Sequence, residues 1–578
     1  MKLLEGQLIN VSNRLPVEIK NRSGHPRLSR SSGGLATALD SVWRGQHGVW
    51  IGWAGAGADS PAAESLLQKA AHGRPYTFKP VAISREEISK YYSGFANEII
   101  WPLFHDMSSR CDFDPENWEV YQRVNRRFAQ ATAEIATAKD VIWAHDYHLM
   151  LMGRYLREAG SLAHAGFFLH IPFPAPDMFE KLPWRKSILR SLLQYHLLGF
   201  QADRDRYNFL SCLERILPEA AVSRGEANHL DNSAISVVLD GHRTAIGTFP
   251  ISISFEEFAS HAASRQVESA VTQLRHELTH RCLVLGVDRM DYTKGIPERL
   301  KAFRILLRRF PELRQRVTLM QVVVPSREEI FNYKELRREV ELLVSQINGE
   351  FTESGWVPIH YMHRSLTRRQ LLTYYRAADI LLVTSLKDGM NLVAKEFCAA
   401  QVDECGVVVL SEFTGAAAEL QHGALVINPY DLTAMAEAIH RACVMPVEEK
   451  RSRMRLLRDV VRTHNVQTWA DAFLSAVITA DHRIEPRGTE PRGMEPGVDP
   501  DMEISPSREP INLNAASFRT AAPRNALSLR TAAPKTELSF RTAVPNNEVS
   551  FRTAAGGEEP AFLPAPPRVK RPTKDVRI

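Results

Sequence analysis

Residues 378–400 read ADILLVTSLKDGMNLVAKEFCAA, and this stretch decides the fold. Ile380–Thr384 is a continuous apolar run, which is typical of a parallel strand buried on both faces. Leu392–Ala400 predicts a helix, with Asn391 as its N-cap. The turn between them lies at the carboxyl end of the strand, where open α/β sheets bind their ligands. Because a helix start also offers free amides and a positive dipole end, we expect this turn to bind an anion.

Glu396 lies about one turn inside the predicted helix, too far along to cap it. A carboxylate in that place can accept hydrogen bonds from hydroxyl groups. An ordinary βα turn with a surface glutamate would have the same local sequence, so this stretch alone leaves the function open.

The composition is that of an ordinary globular protein. The chain has 578 residues, 44% apolar and 24% charged, which is enough for about two to four domains. Its net charge of +5 is small for this length and does not indicate a nucleic-acid partner. The six cysteines are scattered without a C-x-x-C pair, as in reduced proteins. The N-terminus lacks the features of a secretory signal, and no apolar run approaches a membrane span. We therefore expect a soluble, cytoplasmic protein without a membrane partner.

A strand–turn–helix pattern also opens the chain. Gln7–Val11 predicts a short strand that leads towards Arg14, and the segment after it is polar and expected to be mobile. Residues 31–35 then read SSGGL before a helical stretch, an arrangement that brings backbone amides to a phosphate. Many loops contain a Gly-Gly turn, so this pattern is only weak evidence for phosphate binding.

Aromatic and polar residues concentrate in the first half of the chain. Residues 91–105 read YYSGFANEIIWPLFH; such rings bind sugars, but they also suit a plain core. Residues 145–148, HDYH, follow one predicted strand, and His170 ends the next. An H-x-x-H pair with an aspartate could bind a metal ion. The chain holds 20 histidines, however, so this spacing is expected by chance, and we predict no metal site.

Phe249–Ile253 marks a crossing, after which the strand–helix rhythm starts again. Cys282–Val287 predicts a strand, and the turn after it carries Arg289 and Lys294. Two cations in one βα turn suit a diphosphate, although a solvated basic loop has the same composition. Alternating strands and helices imply parallel sheets with helices on both faces. We therefore predict an α/β protein with two doubly wound domains that face each other across a cleft.

The composition changes abruptly after Asp481. Copies of an SFRTAAP-like segment start at Ser517, Ser528, Ser539 and Ser550, that is, every 11 residues. A proline in each of the first three copies argues against a helix, and the apolar surface is too small to offset chain entropy. We predict that residues 482–578 are a disordered tail with repeated docking motifs, whose partner the sequence does not reveal.

Together these motifs resemble glycosyltransferase family 20, the family of the retaining trehalose-6-phosphate synthases. The matching stretches occur in family order over roughly residues 7–475 and are VSNRLPV, SSGGLATAL, WIGWAG, YYSGFANEIIWPLFH, WAHDYHLM, GFFLHIPFP, LLGFQ, VDRMDYTKGIPERL and LKDGMNLVAKE. The resemblance implies a GT-B fold with two Rossmann-like domains. Residues 1–250 would bind the acceptor, and residues 251–481, with the closing helices, would bind the nucleotide sugar.

The resemblance also implies donor-side roles. Arg289 and Lys294 would hold the diphosphate and the charge that develops on departing UDP, while Glu396 would bind the ribose. His170 would meet the transferring glucose near its 6-hydroxyl. The full donor-binding set is Gly34, Arg289, Lys294, Leu366, Asp388, Gly389, Met390, Asn391, Leu392, Val393 and Glu396. The residues with implied catalytic roles are Arg289, Lys294, His170 and Asp388.

On the acceptor side, the resemblance implies that a cluster of cations and aromatic rings holds glucose 6-phosphate. This set is Arg14, Trp53, Tyr92, Trp101, Asp146 and Arg327. The implied reaction moves glucose from UDP-glucose to glucose 6-phosphate by front-side displacement with retention, in trehalose biosynthesis. It needs no divalent metal or other cofactor, because the two cations take the metal's place.

Three alternatives stay open at this point. A relative such as a glucosylglycerol-phosphate synthase would use another acceptor, but the acceptor-side residues are intact. A non-catalytic, sugar-phosphate-sensing homologue would be expected to lose residues such as Arg289, Lys294, Asp388 or Glu396, and all four are present. A phosphorylase of the same fold would need a pyridoxal-phosphate lysine, for which we see no signature. The choice among UDP, GDP and ADP and the oligomeric state are not readable, although a homo-oligomer is a fair expectation.

Overall fold

The computed structural model describes residues 5–22, 25–30, 38–40, 42–43, 47–55, 61–224, 235–278 and 281–480. Gly34 and the repeat tail 482–578 lie outside the described residues. The phosphate contact predicted for Gly34 and the disorder predicted for the tail therefore stay predictions.

The described strands are β1 Leu8–Arg14, β2 Val17–Arg22, β3 His25–Arg30, β4 Gly48–Trp53, β5 Tyr76–Pro80, β6 Val141–His145, β7 His164–Phe168, β8 Leu197–Phe200, β9 Ala221–Arg224, β10 Ile235–Leu239, β11 His242–Thr248, β12 Cys282–Arg289, β13 Val317–Val324, β14 Ile359–His363, β15 Ile380–Val383, β16 Val407–Ser411 and β17 Leu425–Ile427. The longer helices are Pro61–Ala71, Pro115–Ala133, Met152–Glu158, Arg185–Leu192, Asp203–Ile216, Phe255–Ala262, Arg265–Glu277, Ile296–Arg309, Phe331–Phe351, Arg368–Ala377, Leu392–Ala400, Gly415–Leu420, Leu432–Val444, Val447–Thr463 and Val466–Thr479, and a π-helical stretch, Ile88–Ile100, continues into Trp101–Phe104.

Two sheets organise these elements. The first has the order β5-β4-β1-β6-β7-β8-β11-β10-β9, and the second has the order β14-β13-β12-β15-β16-β17. We call the part built on each sheet the first and the second lobe. Every pair in the second sheet is parallel, with β15 central and buried, as the opening stretch of the analysis predicted. The α/β fold with two doubly wound domains is therefore confirmed.

Three antiparallel pairs depart from the predicted all-parallel pattern, namely β9 with β10, β10 with β11 and β2 with β3. Near one edge of the first sheet, β10 and β11 join through Asp240 and Gly241, with φ angles of 49° and 75°. A two-residue Asp-Gly connection in this region is the usual hairpin turn, and it is a signal that the sequence analysis passed over. The segment after Arg14 is not a mobile connection: it forms β2 paired with β3. Alternate β2 residues, Val17 and Ile19, are buried and fix its register.

A proline separates two helices of the first lobe. Pro176–Phe179 and Arg185–Leu192 lie on either side of a turn that contains Pro183, because proline cannot continue a helix. The final helix, Val466–Thr479, returns to the first lobe, where the Phe473 ring packs on Gly166 and Gly199. The absence of a Cβ at both glycines leaves room for that ring. No described helix has both the length and the apolar character that crossing a bilayer requires.

Candidate active site

The carboxyl ends of the strands in the two sheets face each other and build the candidate site. Trp101 Nε1 donates a hydrogen bond to Asp291 Oδ1 (3.3 Å), which joins the aromatic stretch of the first lobe to the basic turn of the second. Arg327, after β13, donates through Nη2 to the Tyr147 hydroxyl (3.2 Å) of the first lobe. Predicted residues from both halves of the chain therefore meet in one place.

Arg327 is a buried cation held on several sides. Its guanidinium lies 4.1 Å from the centre of the Trp101 ring and donates to Asp291 Oδ2 (3.2 Å) and to the Tyr333 hydroxyl. Burial alone would raise the pKa of Asp291, but Arg327 and Arg289 hold that pKa below its usual value. Arg327 Nε is buried and has no hydrogen-bond partner among the described residues. The cation is thus fixed in place with a donor left for an anion.

Arg14 reaches the same region from the end of β1. Its guanidinium lies 4.9 Å from the centre of the Trp53 ring and 5.0 Å from that of Tyr92. Burial would raise the pKa of Tyr92, yet the charges of Arg327, Arg14 and Arg289 lower it. Tyr92 therefore marks the point where positive potential converges, which favours an anionic group such as a phosphate.

Asp146 and His148 border this cationic cluster. Asp146 has a φ angle of 74° and accepts a hydrogen bond from the His170 amide (3.3 Å), so two neighbouring strand ends are tied together. Burial raises the pKa of Asp146 to about 7. His148 Nδ1 lies 3.8 Å from an Asp146 oxygen, and its ring stacks on Tyr92 with 5.7 Å between the ring centres. A carboxyl and an aromatic ring side by side suit a hydroxylated ring.

On the donor side, Lys294 and Asp388 form a close ion pair, with 2.6 Å between Nζ and Oδ2. Burial alone would raise the pKa of Asp388, but Lys294 holds that pKa below its usual value, so the carboxylate stays ionised. Asn391 Nδ2 donates to the same oxygen (3.2 Å). The turn after β12 and the turn after β15 are therefore joined by charge.

Arg289 is the most exposed of these cations. Its side chain is 48% accessible, lies 4.0 Å from Asp291 Oδ2 and sits with its guanidinium 5.5 Å from the centre of the Trp101 ring. Arg289 therefore lies between the cluster of Arg14 and Arg327 and the turn that carries Lys294. A guanidinium in this position can form a fork of hydrogen bonds to a phosphate that bridges the two.

The predicted N-cap is confirmed. Asn391 has a φ angle of 85°, and its Oδ1 accepts a hydrogen bond from the Ala394 amide (3.1 Å). Leu392 and Val393 follow in the first turn of the helix, and Met390 is buried before it. The helix start thus points towards the Lys294–Asp388 pair, with the dipole orientation that favours an anion.

The backbones of the two lobes approach each other closely at Gly389. A Cβ on this residue would lie 2.2 Å from the carbonyl oxygen of His170, and the adjacent Gly415 packs against it from the other side. Only a residue without a side chain fits between two stretches of main chain. The donor loop and the predicted His170 site are consequently in direct contact.

Glu396 and Leu366 lie farther along the second lobe. The Tyr375 hydroxyl donates to Glu396 Oε2 (2.8 Å), and burial raises the pKa of Glu396 to about 7. Leu366 lies between β14 and the helix Arg368–Ala377 and is a partly buried side chain that packs on the hydrophobic core. Apart from these two residues and Gly34, which the structure does not describe, the predicted residues meet around the facing strand ends.

Sequence reasoning assigned no role to several residues of the site. Asp291 joins Trp101, Arg327 and the Thr293 amide, and an acid between two cations in one turn was the available signal. Tyr333 comes from the first turns of a long helix and gives no such signal. Lys387 Nζ lies 2.6 Å from Asp106 Oδ2, a pair between the lobes that is separated by 281 residues and that no local pattern could show.

The comparisons with known proteins agree with this geometry. The family model "Glycosyltransferase family 20" matches residues 6–478. The trehalose-6-phosphate synthase of Mycolicibacterium vanbaalenii is 42% identical over 478 residues, which cover 82% of this chain and 96% of that protein. That of Mycolicibacterium smegmatis is 43% identical over 473 residues, 81% of this chain and 91% of that protein.

Solved structures show the same architecture. An α,α-trehalose-phosphate synthase (UDP-forming) from Burkholderia xenovorans, in complex with glucose-6-phosphate, has a TM-score of 0.73 and 34% identity, and the match covers 82% of this chain and 100% of that one. A structure from E. coli bound with UDP-2-fluoro glucose has a TM-score of 0.74 and 34% identity, covering 83% and 100%. Since the family model and these relatives each span most of its length, the chain belongs to glycosyltransferase family 20.

Proposed function

We propose that the protein transfers glucose from UDP-glucose to glucose 6-phosphate, giving α,α-trehalose 6-phosphate and UDP. The observation that carries the proposal is the convergence of two separate cationic groups on one site, Arg14 with Arg327 and Arg289 with Lys294. A transfer between two phosphate-bearing sugars needs one cationic group for each phosphate. The relatives named above carry this activity in their names, and the two related structures hold glucose-6-phosphate and a UDP-glucose analogue.

The acceptor's phosphate would bind at the Arg14–Arg327 cluster. The orphaned Arg327 Nε and the field at Tyr92 support this assignment. The rings of Trp53 and Trp101 would pack on the sugar, and Asp146 would accept from its hydroxyls. Because the acceptor is already held in place, the transfer step loses less translational and rotational entropy.

The donor's diphosphate would bind at Arg289, Lys294 and the start of the helix Leu392–Ala400. When the bond between the sugar carbon and the phosphate oxygen breaks, the diphosphate gains negative charge. Cations and amides that are already oriented stabilise that charge more in the transition state than in the ground state. Glu396 would accept from the ribose hydroxyls, with Tyr375 holding its carboxyl in place.

The stereochemistry is part of the proposal. A retaining enzyme that forms a glycosyl intermediate needs a free carboxylate beside the reacting carbon. Asp388 is bound by Lys294 and Asn391, and no nucleophile can be nominated with support from the described contacts. In the front-side route, the acceptor's anomeric hydroxyl forms the new bond on the face that UDP leaves. Its proton passes to the departing phosphate oxygen, so the step balances without a base from the protein.

We include metal independence in the proposal, because Arg289 and Lys294 supply the charge that a divalent ion would otherwise bring. The test is release of UDP from UDP-glucose with glucose 6-phosphate, with glycerol 3-phosphate or with no acceptor, each with and without EDTA. EDTA-resistant release that requires glucose 6-phosphate and yields a phosphorylated non-reducing disaccharide is the expected result. Release with glycerol 3-phosphate alone would indicate the glucosylglycerol-phosphate activity. No release from any nucleotide-glucose would indicate a non-catalytic homologue.

A further inference from the structure

Four polar side chains, one inside β1 and three at or just after the ends of the neighbouring strands, form one hydrogen-bonded row in the first lobe. The strands β1, β6, β7 and β8 are neighbours in the sheet. They present, in the same order, Asn10, His145, His170 and Gln201. His145 Nε2 lies 2.7 Å from Asn10 Oδ1, His145 Nδ1 lies 3.1 Å from His170 Nε2, and Gln201 Nε2 lies 3.4 Å from His170 Nδ1. We call this row the amide–imidazole chain.

One backbone amide sets the direction of every hydrogen bond in the chain. The Ile251 amide, in the crossing between the lobes, donates to Gln201 Oε1 (3.0 Å). Gln201 must therefore turn its NH₂ group towards His170, whose Nδ1 can only accept. The proton of a neutral His170 is then on Nε2, which donates to His145 Nδ1. His145 in turn carries its proton on Nε2 and donates to Asn10 Oδ1.

The same residue, Ile251, is also tied to the predicted donor side of the site. The Ile251 carbonyl accepts a hydrogen bond from Lys395 Nζ (2.9 Å), and Lys395 lies in the helix that carries Glu396. Lys395 is also paired with Glu419, with 2.5 Å between Nζ and Oε2, so its position is fixed. A continuous set of contacts thus runs from the donor helix through Ile251 to the imidazole of His170.

The surroundings favour neutral rings. Asn10, His145 and Gln201 are almost fully buried. Burial lowers the pKa of His170 to about 3 and lowers that of His145 well below its usual value, and the neighbouring His170 lowers the pKa of His145 further. Trp469 and Phe168 pack near the His170 ring and add no charge.

From this arrangement we infer that Gln201, His145 and Asn10 are positioning residues that hold His170 as the neutral tautomer with its proton on Nε2 and its lone pair on Nδ1. The tautomer itself does not depend on the proposed function, but the role of His170 in binding the transferred glucose rests on it. The contact from Gln201 to Nδ1 is the longest of the three side-chain contacts, and Nδ1 is the one ring atom with an accepting lone pair. A hydroxyl of the transferred glucose would take the place of the Gln201 amide as the donor to this lone pair, because a neutral imidazole has only one. His170 then orients the sugar and does not supply or remove a proton in the reaction.

The first test reads the tautomer directly, by NMR of the full-length protein with ¹³C-labelled histidine. The ¹³Cδ2 shift separates the two neutral tautomers and the cation, and the His170 signal is assigned by its loss in His170→Gln. We expect the Nε2–H form near neutral pH, without ligand. The Nδ1–H form or the cation would overturn the inference. This measurement needs no turnover, so its outcome does not depend on whether the proposed function is correct.

The second test uses Gln201→Glu to reverse the direction of the hydrogen bond between residue 201 and His170 in the amide–imidazole chain. One carboxylate oxygen still accepts from Ile251, but the other faces the Nδ1 lone pair, so His170 must take a proton on Nδ1. We expect the ¹³Cδ2 signal of His170 to move and the KM for UDP-glucose to rise about tenfold with a smaller change in kcat. Gln130→Glu makes the same change at an exposed site in the first lobe and is the matched control. An unchanged His170 signal together with an unchanged KM in Gln201→Glu would overturn the inference.

Discussion

The two facing sheet edges are polar in different ways. The amide–imidazole chain of the first lobe has no net charge, and its members are joined by hydrogen bonds whose direction comes from one backbone amide. The edge of the second lobe carries buried ions, Asp291 with Arg327 and Lys294 with Asp388. Changing one member of the neutral chain moves protons, whereas changing one ion leaves another buried charge without its partner. We therefore expect the largest losses of activity from the second lobe.

From the difference between the two sheet edges, we expect the largest effect when the predicted donor cations are removed. Replacing both Arg289 and Lys294 by alanine should lower kcat by about 10⁴-fold or more, because each cation stabilises charge that develops on UDP. The protein should still fold, since Arg289 is partly exposed and Asp388, which loses Lys294, keeps its hydrogen bonds from Ser385 and Asn391. Steady-state UDP release measures the loss of kcat, and a thermal melt shows whether the variant is folded. Lys301→Ala with Arg304→Ala removes two cations of the neighbouring helix that pair with Glu339 and Glu350, and it should leave turnover unchanged. Near-normal activity of the double variant would remove the assignment of the site.

Asp291→Asn should have the next largest effect. The amide keeps the size of the side chain but leaves Arg327 without its buried counter-charge, so we expect kcat/KM for glucose 6-phosphate to fall about 10³-fold. The matched control is Asp379→Asn, which breaks the Arg275–Asp379 pair away from the site and should lower only the melting temperature. A loss in kcat with an unchanged KM for glucose 6-phosphate would show that Asp291 acts through the donor cations instead.

Gly389→Ala tests the contact between the two edges. Its Cβ would lie 2.2 Å from the His170 carbonyl, a main-chain atom that cannot rotate away, so the lobes would have to separate. A shift of about 1 Å between reacting groups can cost about 100-fold, and we expect a loss of that size in kcat. Gly349→Ala, in the exposed part of a helix where nothing lies within 4 Å, is the control and should be neutral or stabilising. Full activity of Gly389→Ala would show that the close approach is not needed for catalysis.

The sequence predicted much of this arrangement because its signals are local. An apolar run, an N-cap and a charged turn lie within a few residues of each other, and these were enough to place Asn391 as the N-cap and Lys294 and Asp388 in turns that follow parallel strands. The family resemblance added the acceptor-side residues. It also implied that the two sets of residues lie on facing lobes.

What could not be predicted depends on contacts between distant parts of the chain. The Trp101–Asp291 bond joins residues 190 positions apart, and no periodicity or composition carries that information. The direction of the amide–imidazole chain depends on Ile251, which the sequence shows only as an apolar residue in a crossing. The β10–β11 hairpin was within reach of the sequence, because Asp240-Gly241 is a local turn signal.

Donor binding should depend on pH through Glu396, a partly buried acid that accepts no hydrogen bond from a cation among the described residues. Its pKa is raised from 4.5 to about 7, so the group is mostly protonated at about pH 6 and mostly ionised at about pH 8. The ionised carboxylate accepts from ribose hydroxyls more strongly, so the Kd for UDP-glucose should fall by up to about tenfold over this range. Stability of the ligand-free protein should change the other way. Since the folded pKa lies above the unfolded one, this contribution falls as the pH rises from about 4.5 to about 7.

Calorimetry of UDP-glucose binding without acceptor measures this pH dependence, and leaving out the acceptor excludes the titration of Asp146 in an occupied acceptor site. Glu396→Gln removes the titrating group and should give a Kd that no longer changes with pH. A pH-dependent Kd that persists in Glu396→Gln would assign the titration to another group. Tyr375→Phe, which removes the hydrogen bond to Glu396, should move the midpoint to higher pH.

The smallest effect is expected where an ion pair joins the lobes at their rim. Lys387 is nearly buried, but the Asp106 side chain is 48% accessible, so water screens the attraction between them. Asp106→Asn tolerates the left-handed φ of 63° at this position and removes only the charge, and we expect a change in kcat/KM of about threefold, corresponding to less than about 1 kcal/mol. The difference from the parent protein should vanish at about 0.5 M salt. A loss as large as that of Asp291→Asn would mean that this rim contact, and not the buried ions, sets the distance between the two edges.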